Sequence, residues 1–213
     1  MMTPAQHFKE HKYVLVENFL TDREANFLYN YVKNHARVSA TIWETYGLEV
    51  LDRSPKMLGF FDDPQAPGDF SKYGDILFDT LLEQRLKDVE TITGIDLIPT
   101  YTYHRLYTQG SELKRHKDRP SCEISATLCL GFDKGKEEET WPMFINEKPI
   151  HMNPGDFVIY RGCEVEHWRE PYKGINHAQV FLHYNEKGGQ YNNLYDTRAH
   201  LGLPQEFRTK HED

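Results

Sequence analysis

Five short β-prone runs, "LIPTYTYHRLY", "CEISATLCLGF", "PMFINEKPIHM", "DFVIYRG" and "HAQVFLHYN", follow one another from Leu97 to Asn185, separated by Gly, Pro, Asn and Asp. Such spacing predicts the strands of an antiparallel sandwich or barrel. What precedes them reads as helical. Thr21 or Asp22 can cap a helix in "LTDREANFLYNYVKNHA", where Phe27, Leu28, Tyr31 and Val32 recur at helical spacing. "YGDILFDTLLEQRLKDVETITG" predicts a second helix, with Ile76, Leu77, Leu81, Leu82, Leu86 and Val89 on one face and Gly94 as its stop. Between them the turn formers of "DDPQAPGD" predict a long loop from Trp43 to Lys72, of a length that covers something. Helices first and strands after give an α+β architecture, a sandwich or jelly roll with helices packed on one face.

Composition narrows the partners. The 213 residues suffice for one domain with a substantial core, and 1–213 is read as a single unit. It divides into 1–96 (helical support and covering loop), 97–186 (β core) and 187–213 (a polar tail expected to wrap the surface). A net charge of −8, from 25 Lys plus Arg against 33 Asp plus Glu, has the wrong sign for holding a polyanion. No nucleic acid or membrane partner is therefore expected. The N-terminal stretch has no apolar signal region and no apolar run reaches membrane-spanning length, so the expected location is cytoplasmic. Cys122, Cys129 and Cys163 are odd in number and form no CxxC pair, which predicts reduced, buried thiols.

Chemistry concentrates in "HKDRPSCEISATLCLGF". His116 and Asp118 stand two apart on extended backbone, so both side chains reach toward one ion. An HxD pair alone is weak evidence in a chain with 11 histidines. The best third ligand is His167, presented just past "NPGDFVIYRGCEVE" by a turn, an apolar strand and a short loop. Two histidines and a carboxylate make a facial triad that leaves positions open on iron(II).

From Tyr101 to Tyr184 the chain resembles the double-stranded β-helix core of iron(II)- and 2-oxoglutarate-dependent dioxygenases, specifically the prolyl 4-hydroxylase-like branch. Tyr107, His116 with Asp118, "ETWPMF", "MNPGDFVIY" and His167 occur in that family's order. The opening "NFLTDREANFL" is also similar to the start of such domains. The resemblance implies a jelly-roll, cupin-like core with N-terminal helices packed on the larger sheet. It implies catalytic and metal-binding roles for His116, Asp118 and His167, with Fe(II), 2-oxoglutarate and dioxygen as metal and co-substrates. It also implies C–H hydroxylation, with a prolyl residue in a peptide or protein, or a free amino acid, as first substrate.

The resemblance further implies a Lys or Arg about ten positions beyond the distal histidine, to pair with the distal carboxylate of 2-oxoglutarate. That position is His177, a departure, since histidine is fully charged only when its pKa is raised, as by a buried carboxylate. Alternation puts His177, Gln179, Phe181 and His183 on one face of their strand. Tyr107 matches the family's tyrosine for the same carboxylate; Arg105, Arg169 and Arg161 are alternative sources of charge, and Thr127 could line the pocket. Arg119, Trp168 and Arg169 are the candidate substrate contacts. Two other readings stay open: a jelly-roll protein that binds metal without turnover, which zinc would permit, and a nucleic-acid oxidative demethylase, disfavoured by the charge and by the absence of paired arginines after His167.

Overall fold

A computed structural model of the chain describes residues 2–46 and 57–209. Among the described residues, four helices come in the first half: α1 (Pro4–His11), α2 (Asp22–Tyr46), α3 (Ile76–Gln84) and α4 (Leu86–Thr93). Ten strands follow the order β1 (Tyr13–Val16), β2 (Phe70–Tyr73), β3 (Leu97–Thr108), β4 (Leu113–His116), β5 (Ile124–Asp133), β6 (Met143–Ile145), β7 (Lys148–Ile150), β8 (Phe157–Arg161), β9 (His167–Arg169) and β10 (Asn176–Glu186). They form a six-stranded sheet ordered β1-β8-β5-β10-β3-β2 and a four-stranded sheet ordered β4-β9-β6-β7. Neighbouring strands in both sheets pair antiparallel. No helix among the described residues is long and apolar enough to cross a membrane.

Period-two alternation gives each strand of the large sheet two different faces. Ala126, Leu128, Ile159, Ala178, Val180, Leu182 and Tyr184 pack outward against Leu28, Val32, Phe78, Leu82 and Val89 of the helices. Inward, Cys129, Val158 and Tyr160 meet Met143, Ile145 and Ile150 of the small sheet. The helices therefore buttress one side of a jelly roll whose interior is shared by both sheets.

Several local expectations change. Thr21, not Asp22, caps α2: its hydroxyl accepts from the Glu24 amide while the Glu24 carboxylate accepts from the Thr21 amide. Phe27 is 63% exposed, because the buried stripe of α2 runs through Ala25, Leu28, Val32 and Ala36. The expected second helix breaks at Arg85 into α3 and α4. The Leu82 carbonyl, which a continuous helix would offer to the residue-86 amide, accepts from the Tyr184 hydroxyl instead. Ile76 sits at the exposed start of α3, and Phe78 takes the core position. Of the loop expected from Trp43 to Lys72, Trp43 lies in α2 and Lys72 in β2, while 47–56 fall outside the described residues. β1 and β2 join the two edges of the large sheet, so the helical half also supplies strands. The tail, described to Thr209, does more than wrap the surface. Asp196 and Arg198 are buried, and Arg198 donates to Asp79 and to the Thr100 carbonyl.

The helix-facing side of β3 buries His104 among Tyr31, His35, Phe70 and Phe78, with neither ring nitrogen hydrogen-bonded. Burial pushes its pKa down to about 3. Burial, and then the Lys72 charge, also lower His35, while Asp75 opposes both shifts. With a folded pKa below the unfolded value near 6.5, the unfolded chain takes up the proton first. Stability is thus intact above pH 6.5 and is lost as pH falls toward 3. At pH 5 the His104 contribution to that loss is about 2 kcal/mol. Urea unfolding at pH 7 and pH 5 is expected to show a pH penalty that shrinks by about this amount in His104→Phe; an unchanged penalty would remove His104 as its source.

Candidate metal centre

β4 and β9 pair with His116 opposite His167, so register alone sets two imidazoles side by side, their ring centroids 4.2 Å apart. Asp118 follows β4, and its amide donates to the Gly162 carbonyl at 2.9 Å, turning the carboxylate back toward both rings. One ligand atom from each of the three residues lies within 4.8 Å of the others. Asp118 Oδ1 is 3.6 Å from His116 Nε2 and 3.4 Å from His167 Nε2. The Nδ1 atoms face the carbonyls of Lys114 (2.7 Å) and Val165 (3.2 Å). A carbonyl can only accept, so each Nδ1 carries a proton and each Nε2 is the atom turned toward Asp118. The Asp118 Oδ2 atom accepts from Ser125 Oγ at 2.6 Å.

Although burial opposes ionisation, His167 and His116 hold the Asp118 carboxyl far below the usual carboxylate range. Burial likewise disfavours the His116 cation, yet hydrogen bonds to Asp118 and the Lys114 carbonyl raise its pKa. A carboxylate facing two fixed Nε2 atoms is a donor set of the N,N,O kind that suits first-row divalent metals. A second cluster, Asp118, Cys122 and His183, shares the same carboxylate. Burial drives the Cys122 thiol well up, keeping it protonated and a poor ligand.

The centre opens on a cavity of roughly 860 Å³. Phe60, Asp62, Asp63, Pro64 and Gln65 line it from the segment before β2; Tyr101, Tyr103, Arg105 and Tyr107 from β3; Tyr160, Phe181 and His183 from β8 and β10; and Arg119 and Gln205 from the loop side. Each nitrogen of the Arg105 guanidinium has a partner. It donates to Asp63, to Ser71 Oγ at 3.0 Å and to the Tyr107 hydroxyl at 3.3 Å. Arg119 pairs with both carboxylate oxygens of buried Asp196 (3.0 and 2.8 Å) and lies 4.6 Å over Tyr101. Tyr195, Asp196 and Thr197 all have positive φ, a run that costs energy and that the buried Asp196 network holds in place.

No family model matches the sequence, and no curated protein matches it. Solved structures do. A Pseudomonas putida prolyl-4-hydroxylase superposes with a TM-score of 0.59 at 16% identity, over 86% of this chain and 97% of its own. EctD from S. alaskensis, with Fe bound, gives 0.61 at 12% identity, over 98% and 88%. HygX from Streptomyces hygroscopicus, with nickel and 2-oxoglutarate bound, gives 0.56 at 12%, over 92% and 93%. This is the fold of the 2-oxoglutarate oxygenases.

Within that oxygenase fold, the inner faces of β9 and β10 hold the other residues singled out from sequence. His177 faces inward, stacked on Phe132 and flanked by Trp141 and Tyr172. No carboxylate raises its pKa. Burial, and then the Arg169 charge, drive it well down, so the imidazole is neutral. Thr127 lies 3.4 Å from the Tyr160 hydroxyl. Arg169 is buried on the same side of β9 as His167, and Trp168 projects the other way, stacked on Phe144 under the Arg115 guanidinium. The structure therefore does not bring Trp168 to the cavity. Arg161 is also elsewhere, beside Phe8, Glu164 and Glu186. Asp63, Ser125, Tyr160, Gly162 and Asp196 went unnoticed in the sequence. Only Gly162 carried a local signal, a glycine just after a strand; the others are set by contacts distant in the chain.

Proposed function

We propose that this chain is an iron(II)- and 2-oxoglutarate-dependent oxygenase that hydroxylates a C–H bond. The observation that carries the reading is the trio of His116, Asp118 and His167 ligand atoms, with both imidazole tautomers fixed by backbone carbonyls, at the wall of the cavity. The donor set fits ferrous iron. A keto acid is supported by buried polar atoms with no partner on the inner faces of β9 and β10: Arg169 Nη2, His177 Nδ1 and both amide atoms of Gln179.

When bound, iron and the keto acid would together activate dioxygen, one oxygen atom passing to the keto acid as it becomes succinate and carbon dioxide and the other to the substrate C–H bond. The chain's residues position the reactants and exclude water. His116 and His167 hold their Nε2 atoms rigidly, and Ser125 keeps Asp118 from rotating. Phe60, Tyr101, Tyr103 and Phe181 wall the cavity with rings that orient a substrate and limit solvent. The cavity volume falls in the range of small-molecule and peptide side-chain sites. The likeness to a protein named as a prolyl-4-hydroxylase supports a prolyl residue, in a peptide or as a free amino acid, as the first substrate to try.

The test is an anaerobic titration of the iron-loaded protein with 2-oxoglutarate. A visible metal-to-ligand charge-transfer band that saturates with the keto acid is expected. Its absence at saturating iron and keto acid would leave a jelly roll that binds metal, zinc included, without oxidising.

A further inference from the structure

We infer that Arg169 on β9, rather than the residue ten positions beyond the distal histidine, receives the distal carboxylate of a dicarboxylic keto acid in this chain. The inference rests on the function proposed above and deepens it. Arg169 is 2% exposed and forms no ion pair among the described residues. Its Nη1 donates to the Trp141 carbonyl at 2.7 Å, its guanidinium lies 4.5 Å over the Trp141 ring, and its Nη2 has no partner. The ionisable side chains around it are Tyr107, Cys129, Tyr160 and Tyr172, none of them a carboxylate.

A buried cation with a free donor and no counter-ion is costly unless a ligand supplies the anion. A guanidinium is suited to that role, since its fork matches a carboxylate. Arg169 is also well placed. It shares the inward face of β9 with His167, about 6.6 Å along the strand, and the Tyr107 and Tyr160 rings near it line the cavity. The alternatives are occupied or neutral. Arg105 is already paired with Asp63, and His177 is a neutral ring packed among Phe132, Trp141 and Tyr172. Gln179, two residues beyond His177 on the same face, brings a buried amide whose oxygen and nitrogen both lack partners.

The test compares two probes by calorimetry on the anaerobic iron-loaded protein: 2-oxoglutarate, and 2-oxobutyrate, which keeps the keto acid head but lacks the distal carboxylate. The parent is expected to prefer 2-oxoglutarate by about 100-fold or more, the range for a buried charge pair. Arg169→Gln is expected to bind both alike, and thermal unfolding of its metal-free form should occur at or above the parent's temperature, because an unpaired buried charge has been removed. A residue with only a structural role would lower that temperature. His177→Phe should keep the preference. Should Arg169→Gln fail to fold, Arg169→Lys decides: it retains a charge without the fork, and a preference cut about tenfold supports the assignment, while an intact one overturns it. A preference that survives in Arg169→Gln, or one that collapses in Arg105→Gln instead, also overturns it. If the metal-loaded parent binds neither probe, the proposed function itself fails.

Discussion

Asp118→Ala is expected to weaken iron binding by more than about 100-fold, because loss even of an outer-shell partner costs 10–100-fold, and to abolish the charge-transfer band. Asp118 supplies the sole negative charge among the three ligand atoms, and its Oδ1 stands between the two Nε2 atoms at 3.6 and 3.4 Å. Without it, two imidazoles remain to hold a dication, and Ser125 keeps only its contacts to the Cys122 carbonyl and His183. Asp118→Asn keeps the shape and removes the charge, which separates electrostatics from packing. Because the two histidines favour the ionised carboxylate in the folded state, Asp118→Ala is also expected to lower the unfolding temperature of the metal-free protein, and iron is measured below that temperature. The measurement is iron stoichiometry and affinity by anaerobic dialysis. Iron held by Asp118→Ala at the parent's affinity would show that the metal sits elsewhere.

Gly162→Ala is expected to destabilise the fold by about 3 kcal/mol and to disable the same centre. A Cβ at position 162 would lie 2.2 Å from Asp118 Oδ2, 2.9 Å from Asp118 Cβ and 2.4 Å from the Cys122 carbonyl oxygen. A side chain can swing away from such a clash, but a carbonyl oxygen cannot without moving the backbone. The Gly162 carbonyl and amide are both engaged, to the Asp118 amide and the Glu123 carbonyl, so any shift also displaces the ligand. The expected fall in unfolding temperature is about 6–12 °C for a chain of this size. Iron affinity should fall in parallel. The cost should not add to that of Asp118→Ala: in the double variant the Asp118 contacts vanish and only the Cys122 contact remains, giving a coupling of at least about 0.5 kcal/mol. Full additivity, or an unfolding temperature equal to the parent's, would show that the loop relaxes freely.

What the sequence could disclose is what repeats locally. Period-two alternation in "HAQVFLHYN" separates Ala178, Val180, Leu182 and Tyr184, packed on the helices, from His177 and Gln179 inside. Gly94, left-handed at φ 72, ends its helix as expected, since a residue that tolerates that conformation is readable from type alone. The HxD spacing likewise follows from extended backbone. Local periodicity misled where tertiary packing chose another face: Phe27 and Ile76 fit a helical stripe but lie exposed, and the second helix breaks at Arg85, where the Leu82 carbonyl accepts from Tyr184.

Only the tertiary structure decided which charges are neutralised. Arg105, Arg119 and Arg169 look alike along the chain, yet Arg105 meets Asp63 and Arg119 meets Asp196, while Arg169 meets no anion among the described residues. Ion-pair partners are chosen by strands and segments that meet in space, and a sequence records side chains without recording which of them desolvate together. The sequence by itself therefore determined the strands, their inward faces and the chemical types of the ligand candidates. The closure of two sheets on each other decided that these ligands converge and that one buried cation, Arg169, is left on the inner face of β9 with an unpartnered nitrogen, because burial turns a distant pairing into the dominant electrostatic term.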